Sequence, residues 1–553
     1  MRIDGATLRA DLISGMTVFT VLVPSAMAYG QLAGVTPEAG MYAGLVAMIV
    51  YAIFGSSRHL IVGPEATSAL LAAMIVGPIV GAGADPERFA FLVAALAAMV
   101  GVILIAGGLA RIGFLADFLS RAVLTGYITG AALLVIQSQL GKLFRIKLES
   151  DGLIRSLWEL CSRLGETHVP TLLLGIVTIA TLLALRRFVP KVPSSLVVLA
   201  TSIALSALFD WQAHGIKTVG AVTAGLPSLG LPHVSMADLN ALLPGAASMA
   251  LLAFSDAVLT GRSFAARHGY PIDANRELFA LGAANLGTAI TGAFPVAASG
   301  SRTAVNDSTG AKSKLSGAIA AVMMIVFLLF FTPVLASLPL VVLGGIIIVS
   351  TLGMIEIGEL IRMYHFRWET FASAIVTLLG VVFVGIVPGI LVAVTMSLFL
   401  VIAHISRPSD SHLVRNGDSL EFRPIGNGPL SQIEPGLAVY RVNGLMMFAN
   451  CGQMKIRVTG LIEKSDPDVR GLILVMGMSS TIDLTALTII EELHDELSKR
   501  GVRLMAVELN SEVRELFRRA GTDKKIGEEN IQPDVASAMS NFHSAFQMSP
   551  NIG

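Results

Sequence analysis

The sequence predicts a helical membrane protein that carries a soluble α/β domain at its C-terminal end. Three observations lead there. Of the 553 residues, 54% are hydrophobic and only 14% charged, with a mean hydropathy of +0.73, whereas soluble domains carry about 25% charged residues. The first three quarters of the chain divides into apolar segments near the ~20 residues needed to cross a ~30 Å hydrocarbon core. Finally, 34 of the 78 charges (39 basic plus 39 acidic) follow Arg407, so the last quarter is soluble in character.

The apolar segments fall at 12–33, 37–54, 64–82, 88–109, 117–140, 168–188 and 193–209, then at 241–266, 275–294, 300–309, 314–336, 338–355, 368–386 and 388–406. Seven plus seven is the expected span count. The first segment follows MRIDGATLRADLISG, is long, and lacks a small-residue cleavage pattern, so it reads as a retained helix. Lys and Arg concentrate in cytoplasmic loops. With the N-terminus inside, those loops receive Arg58, Arg111, Arg186, Arg187, Lys191, Arg262, Arg267, Arg276, Lys312, Lys314, Arg362 and Arg367. Arg88 and Lys217 are isolated on the opposite face, and the one exception is the segment from Lys142 to Arg163, whose basic residues are interspersed with Glu149, Asp151 and Glu159. Both termini are therefore expected in the cytoplasm, with residues 1–407 forming the membrane domain and 408–553 a cytosolic one.

Two segments depart from plain apolar helices. LIVGPEATSALL sets Gly63 and Pro64 ahead of a helix, and ITGAFPVAASGSRTAVNDSTG places Pro295 and small polar residues at a comparable point of the second half. Proline suits the first turn of a helix and disrupts its interior. Each segment thus reads as a short extended piece leading into a half-helix that starts inside the bilayer. Irregular backbone survives at that depth only when protein or a water-filled cavity surrounds it. Paired interruptions in two halves point to a transporter's binding site.

After Pro408 the pattern changes to strand, helix, strand, helix. GLILVMG and VRLMAVEL read as buried strands, STIDLTALTIIEELHDELSKRG and SEVRELFRRAG as amphipathic helices. That order implies parallel pairing with crossover helices.

Composition and motifs exclude several functions. Zero formal net charge and a pI near 7.2 argue against nucleic-acid binding. Cys161 and Cys451 are far apart and support neither a disulfide framework nor a metal cluster. There is no HExxH, P-loop or nucleophile elbow. An enzyme and an ATP-driven pump are disfavoured, and no cofactor is expected beyond a coupling H⁺ or Na⁺.

VPSAMAYGQLAGVTPEAGMYAG, FGSSRHLIVGPEATSAL and FPVAASGSRTAVN resemble signature stretches of the SulP sulfate permease family, whose animal members include prestin. The likeness covers essentially the whole chain. It implies fourteen spans in two inverted repeats, as in uracil permease, with core and gate domains. It also implies a C-terminal STAS domain resembling the anti-sigma-factor antagonists, and a homodimeric secondary transporter with elevator-like movement. Its substrate is expected between the half-helices, at Glu65, Ala66 and Thr67 on one side and Val296, Ala297, Ala298 and Ser299 on the other. The physical reason is that a half-helix start offers unpaired N–H groups and about half a positive charge to an anion. Arg302 is expected to add a fixed positive potential. Many family members have Gln after the proline of the first span, where this chain has Ser25, a shorter donor.

Asp256 is a carboxylate in an apolar span, costly there by roughly 2.5 to 3.5 kcal/mol or more. Thr260 lies one turn on, on the same helix face. Together they are candidates for Na⁺, or Asp256 for a proton. Glu65 would repel a bound anion unless neutral or cation-paired, which makes it a second candidate for the coupling proton. In the STAS domain Thr485 is the candidate regulatory hydroxyl, against a plain capping role for Asp483 or Thr481. Sulfate leads C4-dicarboxylate (fumarate) and bicarbonate as substrate. An anion channel and an anion receptor with an unidentified cytosolic partner for its STAS domain are the readings from other classes. Membrane lipid is a necessary partner, and a bacterial-type inner membrane the expected location.

Overall fold

The computed structural model describes residues 4–81, 85–114, 121–148, 152–189, 192–220, 224–385, 410–415, 422–425, 432–434, 436–463 and 469–546, with isolated residues between 389 and 406. The chain divides into two compact units, Met1–Ser397 and Leu398–Gly553.

The first unit is helical. Its elements are α1 (Gly5–Leu32), α2 (Pro37–Phe54), β1 (Val62–Gly63), α3 (Ala66–Val80), α4 (Pro86–Leu109), α5 (Arg121–Phe144), α6 (Leu153–Ser162), α7 (Val169–Phe188) and α8 (Ser194–Phe209). After a long connection come α9 (Met236–Arg267), α10 (Ala274–Ile290), β2 (Ala297–Ala298), α11 (Gly300–Ser308), α12 (Leu315–Phe330), α13 (Leu340–Leu352), α14 (Ile357–Phe366) and α15 (Trp368–Val384). The expected span at 388–406 falls mostly outside the described residues.

Three differences from the sequence reading have local causes. α1 begins at Gly5 rather than residue 12, because Asp4 caps it by accepting from the Thr7 N–H at 2.8 Å. Asp11 is then buried as a structural acceptor for the Lys312 and Ser313 N–H groups. α9 begins at Met236 through a reciprocal capping box between Ser235 and Asp238. The short helices α6 and α14 have one apolar face each and do not register on a hydropathy ruler.

Helix packing sorts the unit into two groups. α1, α2, α3 and α4 pack with α9, α10, α11 and α12, while α5, α7 and α8 pack with α13, α14 and α15. The substantial helix contacts between the groups are those of α1 with α8 and α13, and of α3 with α5. Glycine makes the tightest crossings. A Cβ at Gly101 would lie 2.8 Å from the Gly282 carbonyl, and one at Gly282 would lie 2.7 Å from the Gly101 carbonyl, so α4 and α10 meet backbone to backbone.

The second unit is an α/β fold with one mixed sheet. Its strands are β3 (Asp410–Arg415), β4 (Phe422–Ile425), β5 (Gln432–Glu434), β6 (Leu437–Val442), β7 (Gly471–Val475), β8 (Arg503–Val507) and β9 (Ile531–Gln532). The order is β4-β3-β6-β7-β8-β9, with β5 also on β6. β6 to β9 pair in parallel and β3 antiparallel to β4 and β6. Its helices are α16 (Cys451–Glu463), α17 (Leu484–Lys499), α18 (Ser511–Ala520), α19 (Thr522–Ile526) and α20 (Val535–Phe546). The predicted strands and helices stand as β7, α17, β8 and α18. Strand alternation divides the core: Leu472 and Leu474 face the cluster that includes α16, α17 and α18, and Ile473 and Val475 face the α20 side.

Candidate functional site

The two interrupted segments meet. β1 and β2 form a two-stranded antiparallel ladder with Val62 opposite Ala298 and Gly63 opposite Ala297. Each extended piece therefore supplies the backbone partners that the other lacks inside an apolar medium. α3 and α11 depart from this ladder, so their N-terminal ends lie together.

Buried side chains hold the ladder in place. Asn285 of α10 accepts from the Val296 N–H at 2.9 Å and donates to the Val296 carbonyl at 3.0 Å. The Thr303 hydroxyl accepts from the Ile61 N–H at 3.0 Å, and the Ser299 N–H donates to the Ile61 carbonyl at 2.9 Å. Asn306 donates to the His59 carbonyl at 2.8 Å. Asn285, Thr303 and Asn306 are fully buried. Sequence spacing could not find these clamps, because each depends on the register between distant segments.

The expected site residues divide into those that offer free chemistry and those already engaged. Glu65 caps α3, its carboxylate accepting from the Thr67 N–H at 2.7 Å and the Ser68 N–H at 3.3 Å. The Val296 and Ser299 N–H groups are held by the protein, and Ala297 and Ala298 belong to the ladder. The Ser299 hydroxyl caps α11 through the Arg302 N–H. Among the described residues, the N–H groups of Ala66, Gly300 and Ser301 have no protein acceptor. Gly300 and Ser301 are also exposed. Ser25 is buried in α1 and donates to the Val21 and Leu22 carbonyls of its own helix, so its hydroxyl must turn to meet a ligand.

Arg302 is the exceptional group. It is 2% exposed, and its Nε and Nη2 have no hydrogen-bond partner. The guanidinium lies against Gly63: a Cβ there would sit 3.4 Å from Nη2, in ordinary contact. Glu65 and Tyr29 lie within Coulombic reach of Arg302, and Asp256 within reach of Glu65. Asp256 and Thr260 share a face of α9, with the threonine hydroxyl 3.5 Å from a carboxylate oxygen, and α9 packs on both α3 and β2. Tyr127 of α5, also coupled to Glu65 and Asp256, and Tyr29 are buried phenols that the sequence reading did not single out.

In the second unit, Asp483 caps α17 by accepting from the Ala486 N–H at 2.8 Å. Thr485 is exposed in the first turn of that helix.

Residues 8–377 match the Sulfate permease family, and residues 429–538 match the STAS domain. The chain belongs to the sulfate permease family. A probable sulfate transporter of Mycobacterium tuberculosis is 35% identical over 535 residues, 97% of this chain and 95% of its own. Low affinity sulfate transporter 3 of Stylosanthes hamata is 30% identical, covering 96% of this chain and 87% of its own. The family and these relatives are transporters and not enzymes. Among solved structures, the murine Solute Carrier 26 family member A9 anion transporter shares the fold, with a TM-score of 0.90, 21% identity, and coverage of 99% of this chain and 92% of that one. The transmembrane domain of a cyanobacterium bicarbonate transporter gives a TM-score of 0.62 at 25% identity, over 72% of this chain and 98% of that one. This permease is therefore an integral membrane protein with a transporter core and a C-terminal STAS domain.

Proposed function

We propose that this permease takes up sulfate as a secondary transporter coupled to H⁺ or Na⁺, binding the anion where α3 and α11 begin. The observation that carries the reading is Arg302, a buried guanidinium beside Gly63 whose Nε and Nη2 have no acceptor. A buried charge without partners is costly, and an oxyanion supplies what it lacks. The exposed N–H groups of Gly300 and Ser301 add two further donors at the positive end of α11. The names of the relatives, sulfate transporters at 35% and 30% identity, favour sulfate over fumarate or bicarbonate.

Coupling follows from the nearby carboxylates. Glu65 and Asp256 are half-buried beside the same ladder, and their negative charge opposes anion entry. A proton on either carboxylate, or a Na⁺ held by Asp256 and Thr260, removes that opposition. The grouping of helices fits an elevator: α1–α4 with α9–α12 carry the site, and α5, α7, α8 and α13–α15 form the group it moves against. We place both termini in the cytoplasm of a bacterial-type inner membrane on the basic-residue pattern, and assign the functional unit as a homodimer. Thr485, exposed at a helix start, is the proposed regulatory hydroxyl for a cytosolic partner of the STAS domain.

The test is uptake of radiolabelled sulfate, fumarate and bicarbonate into proteoliposomes under an imposed proton gradient and, separately, a sodium gradient. Wild type is compared with Asp256→Asn. Gradient-driven uptake of sulfate, lost in the variant, is expected. Uncoupled current would favour a channel, and binding without flux a receptor.

A further inference from the structure

A second cluster of cations lies away from the site just described. Lys142, Arg145, Lys147 and Lys217 line one cavity of about 520 Å³, and none of its lining residues is acidic. They come from the end of α5, the turn after it, and the connection between α8 and α9. Lys217 is fixed there because its carbonyl accepts from the Leu340 N–H at the start of α13, at 2.9 Å. On the topology read from the basic residues, the Lys142–Arg163 segment is the one exception on the face opposite the start of α1, and Lys217 is an isolated cation there.

Two of the last four carbonyls of α5 are already taken. At the end of that helix the Gly141 carbonyl already accepts from the Ile146 N–H at 2.9 Å, and the Phe144 carbonyl from the His168 N–H at 3.3 Å. Among the described residues, the side chains of Lys142, Arg145 and Lys217 have no hydrogen bond or ion pair with a carboxylate. Thr171 in the first turn of α7 and Leu340 at the start of α13 also border the cavity, adding the positive ends of two helices. A concave, low-dielectric wall lined by one sign of charge concentrates ions of the other sign.

A larger cavity shares part of its lining. Gln137 and Ser138 border both the basic pocket and a cavity of about 1150 Å³ that Leu70, Ala73, Met74 and Gly77 of α3 also line. That helix starts at the Glu65 and Ala66 end of the central site.

We propose that this basic pocket is a second anion site, which binds a divalent oxyanion such as sulfate and passes it to the cavity beside α3. Only the passing-on rests on the transport reading above, so binding is measured separately from flux. The probe is radiolabelled sulfate on the full-length chain in zwitterionic nanodiscs. Arg302→Met removes the central guanidinium, and Lys142→Gln with Arg145→Gln and Lys217→Gln removes pocket charge. Arg302→Met is expected to retain one sulfate per chain, and adding the three pocket substitutions to abolish it. In uptake, the triple variant is expected to raise KM roughly tenfold (about 1.4 kcal/mol) at unchanged maximal rate, and to lose salt sensitivity. Absence of sulfate binding to Arg302→Met, or unchanged KM and binding on removal of the three cations, would overturn the proposal. So would loss of the residual binding when phosphatidylglycerol is added, since a lipid phosphate would then hold the cations. Normal uptake by Arg302→Met with binding retained would overturn the central-site reading and leave the pocket supported. Lys142→Gln alone, the mildest change, gives the same readouts in a protein that keeps the other two charges.

Discussion

Replacing Arg302 by Met is expected to make the empty protein more stable and the transporter inactive. Two guanidinium donors, Nε and Nη2, are buried without acceptors in a side chain 2% exposed. An unsatisfied buried polar group costs about 1–3 kcal/mol, more when charged, so the pair costs roughly 2–6 kcal/mol. Attraction to Glu65 returns part of this. Methionine fills most of the same volume without donors, and the net gain is placed at about 1–3 kcal/mol. The wild type recovers the deficit with ligand: sulfate at a hundred times Kd stabilises a one-site protein by about 2.7 kcal/mol. The assay is thermal unfolding of both proteins across a sulfate titration, with uptake measured in parallel. Without sulfate the variant should melt higher; the large sulfate-dependent rise should belong to the wild type. A variant that melts lower when empty would mean that the fold itself pairs the guanidinium. One that still accumulates sulfate would remove Arg302 from the site.

Three further outcomes are expected. Glu65→Gln keeps an acceptor for the Thr67 N–H but loses the charge, so sulfate uptake should lose its dependence on the pH gradient; wild-type pH dependence would remove Glu65 from coupling. Asn285→Ala strips both partners from Val296 and should destabilise the membrane unit by about 2–4 kcal/mol in thermal unfolding. Asn285→Asp, which keeps one of the two bonds, should fall between. In the second unit, burial holds the His412 imidazole below its ordinary value of 6.5. The unfolded chain therefore takes up the proton first, and stability that is complete above about pH 6.5 is lost as pH falls through the lower folded value. Hydrogen exchange of β3 and β6 in the full chain should show this slope, and His412→Gln should flatten it.

The sequence showed the fold wherever hydropathy or strand alternation is local. Pro64 and Pro295 mark the two breaks because proline acts on its own backbone, and β7 and β8 announce themselves as short apolar runs. α1 was legible in kind and not in extent, since Asp11 looks like a polar leader residue until the Ser313 loop is folded against it, and Asp4 until its carboxylate is seen to cap the helix at Thr7. At the site, Glu65 and Arg302 stood out as charges in apolar company. Which N–H groups remain free did not: Val296 and Ser299 looked available, but Asn285 and Ile61 hold them. The pattern of one chain segment carries no register to another, so Gly300 and Ser301 emerge as the open donors only when the ladder is built.

The ladder also sets a timetable for synthesis. Val62 pairs with Ala298, so the first strand leaves the ribosome some 236 residues before its partner. At translation rates of about 5–20 residues/s that interval is on the order of 10–50 s. For that time the N-terminal half sits in the bilayer with the edge of a two-residue strand unsatisfied. Neither repeat can complete its own interruption, and the irregular backbone at the centre of the membrane becomes permanent only when translation has delivered both.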